Sequence, residues 1–149
     1  MRKEKGISLI ALIIMIVVIG VVLFTGFKYA KEYFIKQEKE DIKAEMLAIQ
    51  GIVTGIKNKH IVDEENNKLV GTKIDLDNNT TEYKITDNLK NELKKQEDAE
   101  LYILNNEELK KQSIDNTNIN ETEFYVVDYN SEEVFYSLGI DGKYKLSEL

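Results

Sequence analysis

The chain has 149 residues and no cysteine, proline or tryptophan, and its 27 acidic against 20 basic side chains leave a formal charge of −7. That length allows one modest folded domain beside an apolar first segment, and the lack of cysteine excludes disulfide staples, thiolate metal sites and thiol nucleophiles. The acidic balance argues against direct nucleic-acid binding, all the more because Arg2, Lys3 and Lys5 lie in the first six residues and residues 7–149 carry 17 basic against 26 acidic groups.

The charged leader MRKEKG stops at Gly6 and is followed by 21 residues, 7–27, without a charge, interrupted only by Ser8, Gly20, Thr25 and Gly26 among apolar side chains. As a helix rising about 1.5 Å per residue this run covers roughly 31 Å, the thickness of a bilayer's hydrocarbon core. A cleaved secretory signal fits poorly: its apolar core is shorter and closes on a small-residue site absent here. The basic residues before the span predict a cytoplasmic N-terminus and an extracytoplasmic C-terminal part.

No proline or turn cluster separates the span from residues 28–58, where Ile35, Ile42, Met46, Ile49, Val53 and Ile56 recur at helical spacing. The pattern predicts an amphipathic extension of the same helix, with its stripe packed on another element. Gly51 and Gly55 there admit two readings, close approach of a sheet or fraying of the helix end before Asn58. Past the polar run 58–68, period-two patterning predicts a hairpin, 68–76 with 81–86, turning at Asp77-Asn78-Asn79-Thr80. Two short helices follow, over 85–96 and 105–112, the second capped by Asn105 or Asn106. Residues 122–129, 132–140 and 143–146 read as an antiparallel meander, turning at Asn130-Ser131 and Asp141-Gly142. The predicted class is α+β: a long N-terminal helix, membrane-spanning then amphipathic, packed on a small C-terminal antiparallel sheet in a headgroup of residues 59–149.

Candidate chemistry is sparse. His60 is the only histidine, with no cysteine or second histidine to join it in a metal site. Asp75, Asp77 and Asn78 resemble the start of a calcium loop but lack its glycine and distal glutamate, so a plain turn is expected. Lys90, Lys94, Lys95, Lys110 and Lys111 read as solvated helix faces, and the sequons at Asn78, Asn79 and Asn120 carry little weight. Alternation along strands should send about half of Phe124, Tyr125, Tyr129, Phe135, Tyr136 and Tyr144 to the core. No nucleophile elbow, phosphate loop or dinucleotide turn is present, so neither an enzyme, a cofactor nor a metal is expected.

A basic leader ending in Gly6, then Ile7-Ser8-Leu9-Ile10, an apolar helix running into an amphipathic one and a C-terminal antiparallel sheet together resemble the type IV pilins and the pseudopilins of type II secretion. The motif covers about the first 30 residues, and the Lys, Asn, Ile and Glu usage is similar to that of low-GC Gram-positive, clostridial prepilins. The resemblance implies cleavage after Gly6 by a membrane prepilin peptidase, methylation of the new amine of Ile7, residence of the helix in the cell membrane, and its extraction by an assembly platform protein into a surface filament of pilin or pseudopilin subunits. Gly20 falls where members often carry a helix-loosening glycine. Three features depart from the family: Ala11 stands where most members place a glutamate that pairs with a neighbour's amine, the proline that kinks this helix in many members is absent, which implies a straighter helix, and the C-terminal cysteine pair is missing. Ala11 favours a minor over a major subunit and leaves open a permanent single-pass anchor carrying a small extracytoplasmic interaction domain.

Overall fold

The computed structural model describes residues 8–78 and 81–149. The elements are α1 (Leu9–Val62), β1 (Thr72–Lys73), α2 (Asp87–Lys94), β2 (Leu101–Leu104), α3 (Asn106–Lys111), β3 (Tyr125–Asp128), β4 (Glu133–Ile140), β5 (Lys143–Lys145) and a closing 3₁₀ turn, Leu146–Glu148. The fold is α+β, one long N-terminal helix and a five-stranded antiparallel sheet in the order β1-β2-β3-β4-β5. Two compact units meet between Glu38 and Lys39.

The first unit is the apolar part of α1. Ser8 starts it: its hydroxyl accepts the Ala11 N–H at 3.2 Å and its carbonyl accepts the Leu12 N–H at 3.0 Å. This satisfies one of the free donors of a helix start.

In the second unit the sheet is covered on both faces. Ile42, Met46, Ile49 and Val53 of α1 pack with Leu104, Leu109, Tyr125, Val127, Tyr129, Val134 and Tyr136. On the opposite face Leu89 and Leu93 of α2 pack with Ile74, Leu101, Ile103, Phe124, Val126 and Phe135. Every residue of β3 is consequently buried. The one-sided meander expected from the sequence is therefore a two-sided one, and five of the six aromatics are buried rather than about half, with only Tyr144 half-exposed. Alternation still holds, but both of its faces lead into a core.

The hairpin expected over 68–86 does not form. β1 is two residues long and pairs with β2, Thr72 opposite Ile103 and Lys73 opposite Tyr102. Residues 81–86 are not a strand, and Asn79 and Thr80 lie outside the described residues. The period-two pattern there has another use: Tyr83 and Ile85 pack into the second core cluster, and the Tyr83 ring sits 5.3 Å from that of Phe124. β2 was not foreseen, because Leu-Tyr-Ile-Leu is a short apolar run without alternation, as a strand buried on both faces must be.

Both expected helices form, α2 capped by Thr86 and α3 by Asn105, whose side chain accepts the Glu108 N–H. The meander also forms. The turn between β4 and β5 holds Asp141 and Gly142 at φ +51° and +77°, the two positive values a two-residue hairpin turn of the favoured hand requires. Helix α1 continues past Asn58 to Val62, so it does not fray at Gly51 and Gly55. Nor does a sheet approach these glycines: both are exposed, and a Cβ at either would meet nothing within 4 Å. They stand two residues from stripe positions Ile49 and Val53, which at 100° per residue turns them away from the core. Ile35 also leaves the expected stripe; it belongs to the first unit and is 42% exposed.

Candidate functional site

The distinctive feature of the first unit is its unpartnered apolar surface. Every large apolar side chain from Leu9 to Phe27 is exposed, from 43% at Leu12 to 75% at Phe27. This part of α1 is long and apolar enough to cross a membrane, by length and composition. Its polar interruptions suit that setting. The Thr25 hydroxyl donates to the carbonyls of Val21 and Val22 at 2.9 and 3.1 Å, so no hydroxyl is left without a partner in an apolar surrounding. The helix is continuous through Gly20. Ala11 occupies the third position of the first turn, and that turn contains no acidic residue. Arg2, Lys3, Lys5, Gly6 and Ile7 lie outside the described residues.

In the second unit α1 is fixed along two flanks of its core stripe. On one flank Lys39 pairs with Asp141 at 2.6 Å, while Lys43, Gln50 and Lys57 donate to the carbonyls of Leu149, Glu132 and Asn130 at 2.9, 3.0 and 2.9 Å. At 100° per residue these four positions fall on one line along the helix. On the other flank Glu45 is buried and accepts three hydrogen bonds, from Tyr125 Oη at 3.0 Å and from the Asn118 backbone N and Nδ2 at 2.7 and 2.8 Å. Burial, then the Glu45 carboxylate beside it, push the Tyr125 hydroxyl well above the ordinary tyrosine range. Tyr129 exchanges two hydrogen bonds with Val70, Oη to O at 2.7 Å and N to Oη at 3.1 Å, and burial pushes it up to about 12.

Glu45 and Asp128 were both missed in the sequence. Asp128, fully buried, accepts the N–H groups of Glu100 and Asn130 and the Ser131 hydroxyl, tying the β3–β4 turn to the start of β2. The available signal was position: Glu45 sits three residues past Ile42 on the apolar stripe, and Asp128 continues the alternation of Phe124 and Val126.

The remaining candidates are held in local structure. His60 donates from Nδ1 to the Asn67 carbonyl at 2.7 Å, closing the turn after α1, and its Nε2 lies 3.9 Å from Glu64. It borders an open depression of about 370 Å³ with Lys68, Glu100 and Tyr102. Asp75 accepts the Asp77 N–H at 3.0 Å and the Asn78 amide at 3.3 Å, a turn of its own, and the Asp77 N–H holds its carboxyl below the usual carboxylate range. Lys95 and Lys111 pair with Glu92 and Glu108 one turn earlier, at 2.7 and 3.4 Å. Asn120 folds onto Thr122 and Glu123. Among the described residues no group of three or more His, Asp or Glu could hold a metal ion. Comparison with protein families, with curated proteins and with solved structures finds no match to this chain.

Proposed function

We propose that the chain is a prepilin-like subunit, a minor pilin or pseudopilin of a type IV pilus or type II secretion-like filament, rather than an enzyme. The observation that carries this reading is the division of α1. Its first part presents apolar side chains on every side, while Ile42, Met46, Ile49 and Val53 of the same helix are core residues of the folded unit. A helix apolar all round needs lipid or other apolar helices around it. A subunit that exchanges one for the other has a use for both properties.

In this reading the peptidase cuts after Gly6 on the cytoplasmic side and the amine of Ile7 is methylated. The helix waits in the membrane with the folded unit outside, until the platform protein moves it among related subunits. Ser8, the second residue of the mature chain, then caps the helix. Intact mass and N-terminal sequencing of the protein from membranes of its own host, beside a Gly6→Leu variant, test the proposal. The expected result is a mature chain beginning at methylated Ile7 and an uncut variant.

Ala11 supports a second reading, a permanent single-pass anchor presenting a small interaction domain. With no carboxylate at this position the subunit cannot accept a neighbour's amine. That reading expects an intact chain beginning at Met1 in both proteins.

A further inference from the structure

The exposed apolar surface of α1 does not pass directly into ordinary polar helix. Phe24, Phe27, Tyr29, Tyr33 and Phe34 are 75%, 75%, 72%, 64% and 68% exposed. Interleaved with them are Lys28, Lys31 and Lys36, opposed only by Glu32. Residues 28–36 thus carry a charge of +2, whereas residues 37–149 hold 14 basic and 25 acidic groups. At 100° per residue Phe27 and Phe34 point one way, and Tyr29 and Tyr33 lie about 100° to 160° round the helix from them. The rings encircle the helix instead of forming a stripe, so a single packed neighbour could not cover them. The Tyr33 and Phe34 rings meet edge to face at 6.2 Å between centroids.

We infer that residues 28–36 form an interfacial collar that binds anionic phospholipid headgroups where α1 leaves the bilayer. This rests on the reading that residues 7–27 lie in a membrane. The axial fit supports it: the headgroup layer is about 5 to 8 Å deep on each side, or roughly three to five helical residues, beginning at Lys28 if the hydrocarbon ends at Phe27. Helical side chains lean toward the N-terminus, so Tyr33, Phe34 and Lys36 reach back into that layer. Tyrosine supplies an apolar ring with a polar tip, and lysine a charge on a flexible stem, the combination that settles at a membrane boundary. Charge selects the lipid: the collar is attracted to phosphate-bearing anionic headgroups, and the acidic remainder of the chain is repelled by them.

The chain contains no tryptophan, so Tyr33→Trp gives a single probe in the full-length protein. The variant is reconstituted in vesicles of equal parts phosphatidylglycerol and phosphatidylcholine, with one or the other brominated close to the headgroup. The collar predicts about twofold stronger quenching by brominated phosphatidylglycerol at low salt, and equal quenching once Lys28, Lys31 and Lys36 are all changed to Gln. Equal quenching with the lysines present would overturn the lipid preference. No quenching by either lipid, while a Val17→Trp probe is still quenched by lipid brominated near the acyl-chain ends, would overturn the collar and leave its lysines to acidic groups of a neighbouring copy. An unquenched Val17→Trp probe would remove the membrane reading itself.

Discussion

Glu45 is a carboxylate in the core of the second unit with three donors aimed at it and no cation among its hydrogen-bond partners. Glu45→Ala strands the Tyr125 hydroxyl and the Asn118 N–H, and should cost about 3 kcal/mol in urea unfolding of residues 28–149, against about 1 kcal/mol for Tyr125→Phe, which removes one donor and leaves the acceptor occupied. Combined, the two changes should cost less than their sum, because Tyr125→Phe removes a donor that Glu45→Ala would strand. Tyr125 and Tyr129 set the alkaline limit. Both hold their protons more tightly folded than unfolded, so their contribution is complete below the unfolded tyrosine value of about 10 and is lost as pH rises through the folded value. For Tyr129 that window closes at about 12. The urea midpoint should be flat from neutral pH to about pH 9 and fall steeply above about pH 10, with the last phenolate absorbance appearing together with unfolding. Gly71 is a third test. It sits at φ +110°, and a Cβ there would lie 2.6 Å from the Ile103 carbonyl oxygen, so Gly71→Ala should cost about 1 to 3 kcal/mol and loosen β1 from β2. None of these three was legible in advance, since each depends on a partner roughly 30 or more residues away that no local pattern names.

At the scale of elements, legibility followed periodicity. The α1 stripe, α2, α3 and the closing meander each repeat a pattern long enough to fix their type, and Asn105 announces its helix with Glu107 and Glu108 behind it. The losses came where tertiary covering decides the outcome. Residues 81–86 alternate like a strand but serve as a lid on the second core cluster, and Leu101–Leu104 fails to alternate because both of its faces are covered. The glycines of α1 give the element-scale prediction. With open space at both positions, Gly51→Ala and Gly55→Ala should each stabilise the second unit by about 1 kcal/mol, seen as a raised urea midpoint, the opposite sign to Gly71→Ala. Opposite signs for glycines in one chain would separate helix propensity from steric necessity.

For the whole molecule, the two units have opposite solvent requirements. Residues 28–149 should be soluble, monomeric and cooperatively unfolding by gel filtration and circular dichroism, because the stripe of α1 is already covered within the second unit. The full chain should require detergent or lipid, as its first unit exposes apolar side chains throughout. The candidate site was legible to the same degree: hydropathy reveals the span, whereas nothing in the sequence marks the row Lys39, Lys43, Gln50 and Lys57, whose partners are turn and terminal groups of the sheet. That row has a mechanical consequence. A tensile load entering at Lys39 along the helix axis meets these four ties and the core stripe beside them in parallel, so they yield in shear and together, whereas a load normal to the axis would unzip them in turn, beginning with the Lys39–Asp141 pair.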